Sequence, residues 1–433
     1  MKSKLAKFGG DKAITLDYKT HASIPLVSQK GLDDVVEMVK AGDISMSPKV
    51  YDFEDKFAKY NGNKYAIAAN NGTATLHMAL HAVGVKHGDE VITPSFTFWA
   101  TMVPILAQLA TPVFCDLDKD SPCVDAADIE RKITPKTKAI MIVHCWGYSC
   151  DMDAIMAVAK KHNVKVIEDA SHAHTTKYKG KNMGVIGDIG CFSMQASKLL
   201  VGGEAGIFVT DSREYYERAL AMADYARLVD LPEDSEYRKY TLTGMGVKYR
   251  PHPLAIAIAN ASLDEMDERA AVRDANARRL NELLSDIPWL NPPKEYQDTY
   301  TTYAYHHQLF DNSKFGDICT LALLKVLAAE GVDVGYCGYG RLHQSPIILE
   351  GGPQGNLEKR DKPVSLPVTE NFAKNVFLAA PRFEKECAEL IEQYSLAYHK
   401  VNDNMDEVIE YAKNTDFTEE CKSLGGRTIV PIK

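Results

Sequence analysis

The chain has 433 residues, 45% of them apolar and 25% charged, with 50 basic against 59 acidic side chains and a formal charge of -9. That length allows two or three domains around a sizeable core, and a mildly acidic chain without a Lys/Arg run lacks the footprint of a nucleic-acid binder. No apolar run follows Lys2, Lys4 and Lys7 to make a signal peptide, and no stretch approaches the length of a membrane span. The nine cysteines include no C-x-x-C pair, so a cytoplasmic chain with free thiols and no membrane partner is expected.

In chain order, Tyr65 to Ala69 reads as a strand, Asn70-Asn71-Gly72 as a turn, and Thr73 to Val83 as a helix closed by Gly84. Glu90 to Thr93 is a strand, Trp99 to Leu109 a helix, Pro112 to Asp116 a strand and Ala139 to Val143 another. Asp151 to His162 is a helix, with Met152, Ile155, Met156 and Ala159 on one stripe. Val164 to Ile167 is a strand that ends in Glu168 and Asp169. Strands alternating with helical segments predict an α/β fold: a mainly parallel sheet with helices on both faces and functional groups at the carboxyl ends of its strands. Pro253 to Leu284 reads as a long helix bridging into a smaller α+β C-terminal domain, to which Ala304 to Phe310, Asp317 to Glu330 and Glu384 to Lys400 belong. The expected divisions are a lead-in at 1–40, a large domain at 41–262, a small domain at 263–400 and an appended helix and tail at 401–433.

Three stretches can carry chemistry. Asn70-Asn71-Gly72-Thr73-Ala74 lies between a strand and a helix, where free N–H groups and the helix dipole suit a phosphate, although Asn and Thr also cap ordinary helices. Asp169, where an apolar strand stops, can hold a cationic ring nitrogen, or it can simply cap. His172 and His174 follow it without a third ligand at a recognisable spacing, so no metal site is expected. Lys198 sits among small and apolar residues beside Gly202-Gly203-Glu204-Ala205-Gly206; buried, it is a nucleophilic amine, and exposed, a loop lysine. That glycine loop lacks the G-x-G-x-x-G spacing of a nicotinamide oxidoreductase. Together, a phosphate turn, a strand-end Asp and a loop Lys are the three parts that pyridoxal 5'-phosphate needs, and Trp99 could stack on its ring.

From about Gly42 to Arg382 the chain resembles the DegT/DnrJ/StrS-type sugar aminotransferases, an aspartate-aminotransferase-like branch of fold type I. The matching stretches are Asn71-Gly72-Thr73-Ala74, Gly88 to Pro94, Asp151 to Ile155, Val166 to Ala170 and Gly187 to Ser193. The resemblance implies Lys198 as the Schiff-base lysine and Asp169 as the partner of the pyridine nitrogen. It further implies Trp99 as the stacking aromatic, His172 beside the ring hydroxyl, and Gly72, Thr73 and Ser193 at the phosphate. It also implies a homodimer in which a G-x-N-x-R segment completes the partner's site; here Gly246-Val247-Lys248-Tyr249-Arg250 carries Lys248 in place of Asn.

The implied reaction is a ping-pong transfer of an amino group from glutamate or glutamine, by way of pyridoxamine 5'-phosphate, to a keto-sugar that is free, phosphorylated or nucleotide-linked. A cyclitol (scyllo-inosose-type) or aminohydroxybenzoate-type aminotransferase is the alternative, toward which Ser193-Met194-Gln195-Ala196-Ser197-Lys198 leans. A sugar dehydratase would carry His in place of Lys198, and a non-catalytic regulator has no need of Asp169, Ser193 and Lys198 together. The loop from Tyr336 to Ser345, with Tyr339, Arg341, His343 and Gln344, is expected to border the acceptor along with His306 and His307. Lys248, Arg250 and Arg341 could meet a phosphate or carboxylate on it.

Overall fold

The computed structural model of the protein describes residues 3–337, 339–420 and 429–431. Gly338, Cys421 and most of the end of the expected tail lie outside the described residues. Its main sheet is built from β1 (Tyr65–Ala69), β2 (Glu90–Pro94), β3 (Thr111–Cys115), β4 (Thr137–Val143), β5 (Lys165–Asp169), β8 (Ile189–Ser193) and β9 (Gly206–Thr210). The order is β1-β9-β8-β5-β4-β2-β3, with β9 antiparallel to both neighbours and the other pairs parallel. Helices cover the sheet, so its central strands are buried on both faces, which is why they read as apolar runs and not as alternating ones. Between β5 and β8 the short strands β6 (Lys177–Tyr178) and β7 (Lys181–Asn182) form a ribbon, to which a later strand, Thr299–Tyr300, is added.

The helix expected over Trp99 to Leu109 is two pieces, a 3-10 turn at Trp99–Thr101 and a helix at Val103–Ala107. Pro104 opens the second piece, where its missing N–H costs nothing. The long helix Pro253–Leu283 leads to a second sheet, in which β10 (Leu290–Asn291), β12 (His306–Phe310), β13 (Gly335–Cys337), β14 (Val376–Ala380) and β15 (Ile429–Pro431) lie in the antiparallel order β10-β12-β14-β13-β15. The intervening β11 is the Thr299–Tyr300 strand of the ribbon.

The N-terminal residues are built into this second body. Leu5, Ile14 and Ala22 share its core with Leu323, Phe377 and Tyr398. Glu330, fully buried, accepts the N–H groups of Ala6 at 2.7 Å and Ala13 at 3.1 Å and pairs with Lys400 at 2.8 Å. Gln393 accepts from the N–H groups of Thr15 at 2.9 Å and Leu16 at 3.1 Å. The next helix, Gln29–Ala41, lies against the long helix, with Gly31 facing Ala261.

Candidate active site

The carboxyl ends of β1, β2, β4, β5 and β8 open on one cavity of about 540 Å³. From β1 come Asn71, Gly72 and Thr73; from β2, Thr97, Phe98 and Thr101; from β5, Asp169, Ser171 and His172; from β8, Ser193, Gln195, Ser197 and Lys198. Tyr305 and Tyr339 close it from the side of the second sheet.

The turn after β1 is a tight cradle. Asn71 caps the helix Gly72–Ala82 by accepting the Ala74 N–H at 2.8 Å, and a first helical turn leaves N–H groups without intrahelical acceptors. Because Gly206 of β9 pairs with both Ala69 and Ser193, the turn is pressed onto Ser193. A Cβ on Gly72 would stand 2.8 Å from Ser193 Cβ, and one on Gly206 would stand 2.6 Å from the Asn71 carbonyl carbon. Only glycine leaves the space open at either position.

Asp169 ends β5 almost wholly buried. Thr101 Oγ1 donates to its Oδ2 at 2.9 Å and the Ser171 N–H to its Oδ1 at 3.2 Å, so both oxygens are held. Thr97 Oγ1 backs Thr101 at 3.0 Å. Glu168, one residue earlier, points to the opposite face and accepts from the N–H groups of Gly184 and Ile186, each at 2.8 Å, while His144 Nε2 lies 3.0 Å away.

His172 is buried. Its Nδ1 accepts the Trp146 N–H at 3.2 Å, which leaves the ring proton on Nε2, 3.4 Å from the Tyr339 hydroxyl. Burial, reinforced by the Lys198 ammonium, holds its pKa well below the ordinary histidine value. His174 is pushed down to about 3 by burial, and its Nε2 bonds the Ser193 carbonyl at 2.9 Å. Among the described residues no group of three or more His, Cys, Asp or Glu is placed to hold a metal ion.

Lys198 is half-buried, and desolvation lowers its pKa below that of a surface amine, partly countered by Tyr305 and Asp169. Its N–H bonds the Gln195 carbonyl at 2.8 Å, and Gln195 Oε1 accepts from the Ser197 N–H at 2.7 Å and from the Ser197 hydroxyl at 2.6 Å. The loop between β8 and β9 is therefore a folded turn with its amine directed to the cavity, where Lys198 is part of the lining.

Of the residues singled out from sequence, Gly72, Thr73, Asp169, His172, Ser193, Lys198 and Tyr339 meet in this cavity. Trp99 does not line it: it is 46% exposed, and Phe98, whose ring centroid is 4.0 Å from that of Trp99, faces the cavity in its place. Lys248 is exposed, in a segment tied to Met222 and Ala223, and Arg250 lies 3.9 Å from Asp224, away from this cavity. Arg341 bridges to Phe96 at the surface. His343 is buried against Ser95 Oγ at 2.6 Å and Glu370 at 3.2 Å, where it joins elements and does not reach the cavity. His306 and His307 are buried in β12 outside the lining, His307 stacked on Trp146 at 3.5 Å. Sequence reasoning passed over Phe98, Thr101 and Tyr305, and named Gln195 and Ser197 only within the stretch leading to Lys198, without a place in the site.

A family model described as the DegT/DnrJ/EryC1/StrS aminotransferase family matches residues 26–385. The chain belongs to this family. DegT/DnrJ/EryC1/StrS proteins are pyridoxal phosphate-dependent aminotransferases, and the chain is an enzyme of that class. It is 37% identical over 304 residues to the spore coat polysaccharide biosynthesis protein SpsC of Bacillus subtilis, across 68% of this chain and 76% of that protein. It is 32% identical over 353 residues to a Micromonospora echinospora protein provisionally named L-glutamine:3-amino-2,3-dideoxy-scyllo-inosose aminotransferase, across 80% of this chain and 83% of that one. Among solved structures it is similar to DesI in the presence of its TDP-sugar product, with a TM-score of 0.77 at 27% identity, covering 95% of this chain and 99% of that one. These fold-type I neighbours share its mainly parallel sheet flanked by helices. No helix among the described residues is long and apolar enough to cross a membrane.

Proposed function

We propose that the chain moves an amino group from glutamate or glutamine to the carbonyl of a keto-sugar, in ping-pong order, with pyridoxal phosphate held in the cavity. The observation that carries this reading is the convergence of a half-buried, desolvated amine, Lys198, and a doubly hydrogen-bonded carboxylate, Asp169, on one cavity with the glycine cradle at Gly72. The residues fit the cofactor. Gly72, Thr73 and Ser193 would take its phosphate, Phe98 would lie against its ring in the role first given to Trp99, Asp169 would hold the ring nitrogen protonated, and His172 would face the ring hydroxyl. When bound, the group supplies an electron sink for the substrate's α-carbon.

The protein's own share is acid–base chemistry and positioning. Lys198, kept largely desolvated, is placed to take a proton from, or return one to, the nitrogen-bearing carbon of whichever substrate is bound, more readily than a surface amine would. Asp169 stays in place because Thr101 and the Ser171 N–H hold both its oxygens. Tyr305, Tyr339, Gln195 and Ser197 offer neutral hydroxyl and amide groups to a polyol acceptor.

A second reading, a cyclitol or another uncharged keto-polyol as acceptor, is favoured by one feature: among the described residues Lys198 is the only Lys or Arg that lines the cavity. A phosphorylated or nucleotide-linked acceptor would then draw its cation from a second copy of the chain, by way of Lys248 or Arg250. Exposed Val229, Leu242 (98%) and Val247 beside that segment support a homodimer.

The test is to offer glutamate and glutamine with a panel of keto-sugars, keto-sugar nucleotides and inososes and to identify the aminated product by mass spectrometry. Borohydride reduction of loaded enzyme should fix the cofactor on Lys198, and Lys198→Ala should abolish turnover. Full activity in that variant would overturn the assignment.

A further inference from the structure

A line of contacts runs from the N-terminal residues to Lys198 from outside the cavity. The Tyr18 hydroxyl donates to the carbonyl of Arg382 at 2.7 Å, and the Glu384 N–H donates to the carbonyl of Ala22 at 2.7 Å. These two bonds pin the corner that follows β14 on either side of Phe383. From that corner the Arg382 guanidinium turns inward and donates to the Ser197 carbonyl. It also lies 5.5 Å from the centre of the Tyr305 ring, whose hydroxyl is 3.5 Å from Ser197 Oγ.

The oxygen that Arg382 holds belongs to the peptide unit joining Ser197 to Lys198. Because that unit is planar, fixing its oxygen fixes the plane from which the Lys198 Cα and side chain depart. Glu384 pairs with Arg273 and, at 3.6 Å, with Arg269. Tyr18 lies before residue 26, where the match to the family model begins.

We propose that Arg382 is a positioning residue for Lys198 and that residues 17–22 hold Arg382 in place, so that the N-terminal segment sets the aim of the reactive amine. The catalytic arm of this inference rests on the reading of Lys198 given above; the structural arm does not.

The test uses full-length Arg382→Met, Arg382→Lys, Tyr18→Phe and the double variant Tyr18→Phe/Arg382→Met. Hydrogen exchange is followed at residues 193–203, with the β4 strand as internal reference, in protein with and without added pyridoxal phosphate. Arg382→Met should speed exchange at 193–203 by about 10-fold and leave β4 unchanged, and Tyr18→Phe should do so by about 3-fold. In turnover, Arg382→Met should lower kcat by about 10-fold with KM within about 2-fold, and Arg382→Lys should recover most of it. The double variant should be no worse than Arg382→Met, because Tyr18 acts through Arg382.

Unchanged exchange at 193–203 in folded Arg382→Met, or effects that multiply in the double variant, would overturn the proposal. If Arg382→Met does not fold, Tyr18→Phe decides, and native exchange there overturns it. Altered exchange in an enzyme whose cofactor proves not to be on Lys198 would instead refute the assignment of that lysine and leave the strap standing.

Discussion

Gly72 and Ser193 touch so closely that the missing side chain of one is filled by the other: a Cβ on Gly72 would fall 2.8 Å from Ser193 Cβ and 3.1 Å from its Cα. The neighbour is strand β8 itself and cannot swing away. Gly72→Ala should therefore cost about 1–3 kcal/mol, as overpacking of a tight site does, and weaken pyridoxal phosphate binding in parallel. Thermal unfolding with and without cofactor measures both. An alanine variant with native Tm and native affinity would show that the cradle is looser than drawn.

Thr101 is the side-chain donor to Asp169, at 2.9 Å in a buried setting. Removing a hydrogen bond to a charged group costs about 1.5–3 kcal/mol, so Thr101→Val should lower kcat by at least about 10-fold with little change in KM for the amino donor. Thr101→Ser, which keeps the hydroxyl, should stay near wild type. Equal losses in the two variants would mean that the methyl group matters and the hydrogen bond does not.

Phe98 and Trp99 are adjacent yet face different surroundings, one the cavity and the other solvent. Phe98→Ala should release cofactor faster and dull the near-visible absorption of the loaded enzyme, whereas Trp99→Ala should leave both nearly unchanged. The reverse pattern in a cofactor-release assay would return the stacking role to Trp99.

Buried histidines set an acid limit. Burial pushes His174 down to about 3 and His306 to about 4, with His172 and His307 held well below 6.5. In the unfolded chain histidine titrates near 6.5, so below that pH the unfolded state binds protons that the folded state refuses. The stability is present above pH 6.5 and is lost as pH falls, by about 1.4 kcal/mol per pH unit for each such histidine. Glu54, Asp224, Asp274 and Asp333, raised by burial, act in the opposite sense, starting from ordinary carboxyl values near 4. The urea midpoint should thus drop between pH 7 and pH 5.5. Histidine ring signals of the folded protein that all titrate near 6.5 would overturn this account.

The rhythm of strands and helices from Tyr65 to Asp169 was legible because buried parallel strands are short apolar runs punctuated by turn residues. The parallel sheet and the order of cradle, carboxylate and lysine followed from it. What was not legible depended on direction. Glu168 and Asp169 look equivalent in sequence, yet strand pleating sends one to the Gly184–Gly187 loop and the other to the cavity. Phe98 and Trp99 differ in the same way, decided by a 3-10 turn that no spacing announced. Tyr305 reaches the site across more than a hundred residues of chain, and so does the anchoring of the N-terminal segment on Glu330.

That anchoring has a bearing on synthesis. Residues 3–22 leave the ribosome more than three hundred residues before the groups that receive them, Glu330, Gln393, Lys400 and Asn404. During synthesis that segment has nothing to dock on while the strands from Tyr65 to Thr210 are being made, and its placement is a contact of high sequence separation. A translating chain stalled before residue 330 would carry a finished central sheet with its N-terminal end still undocked.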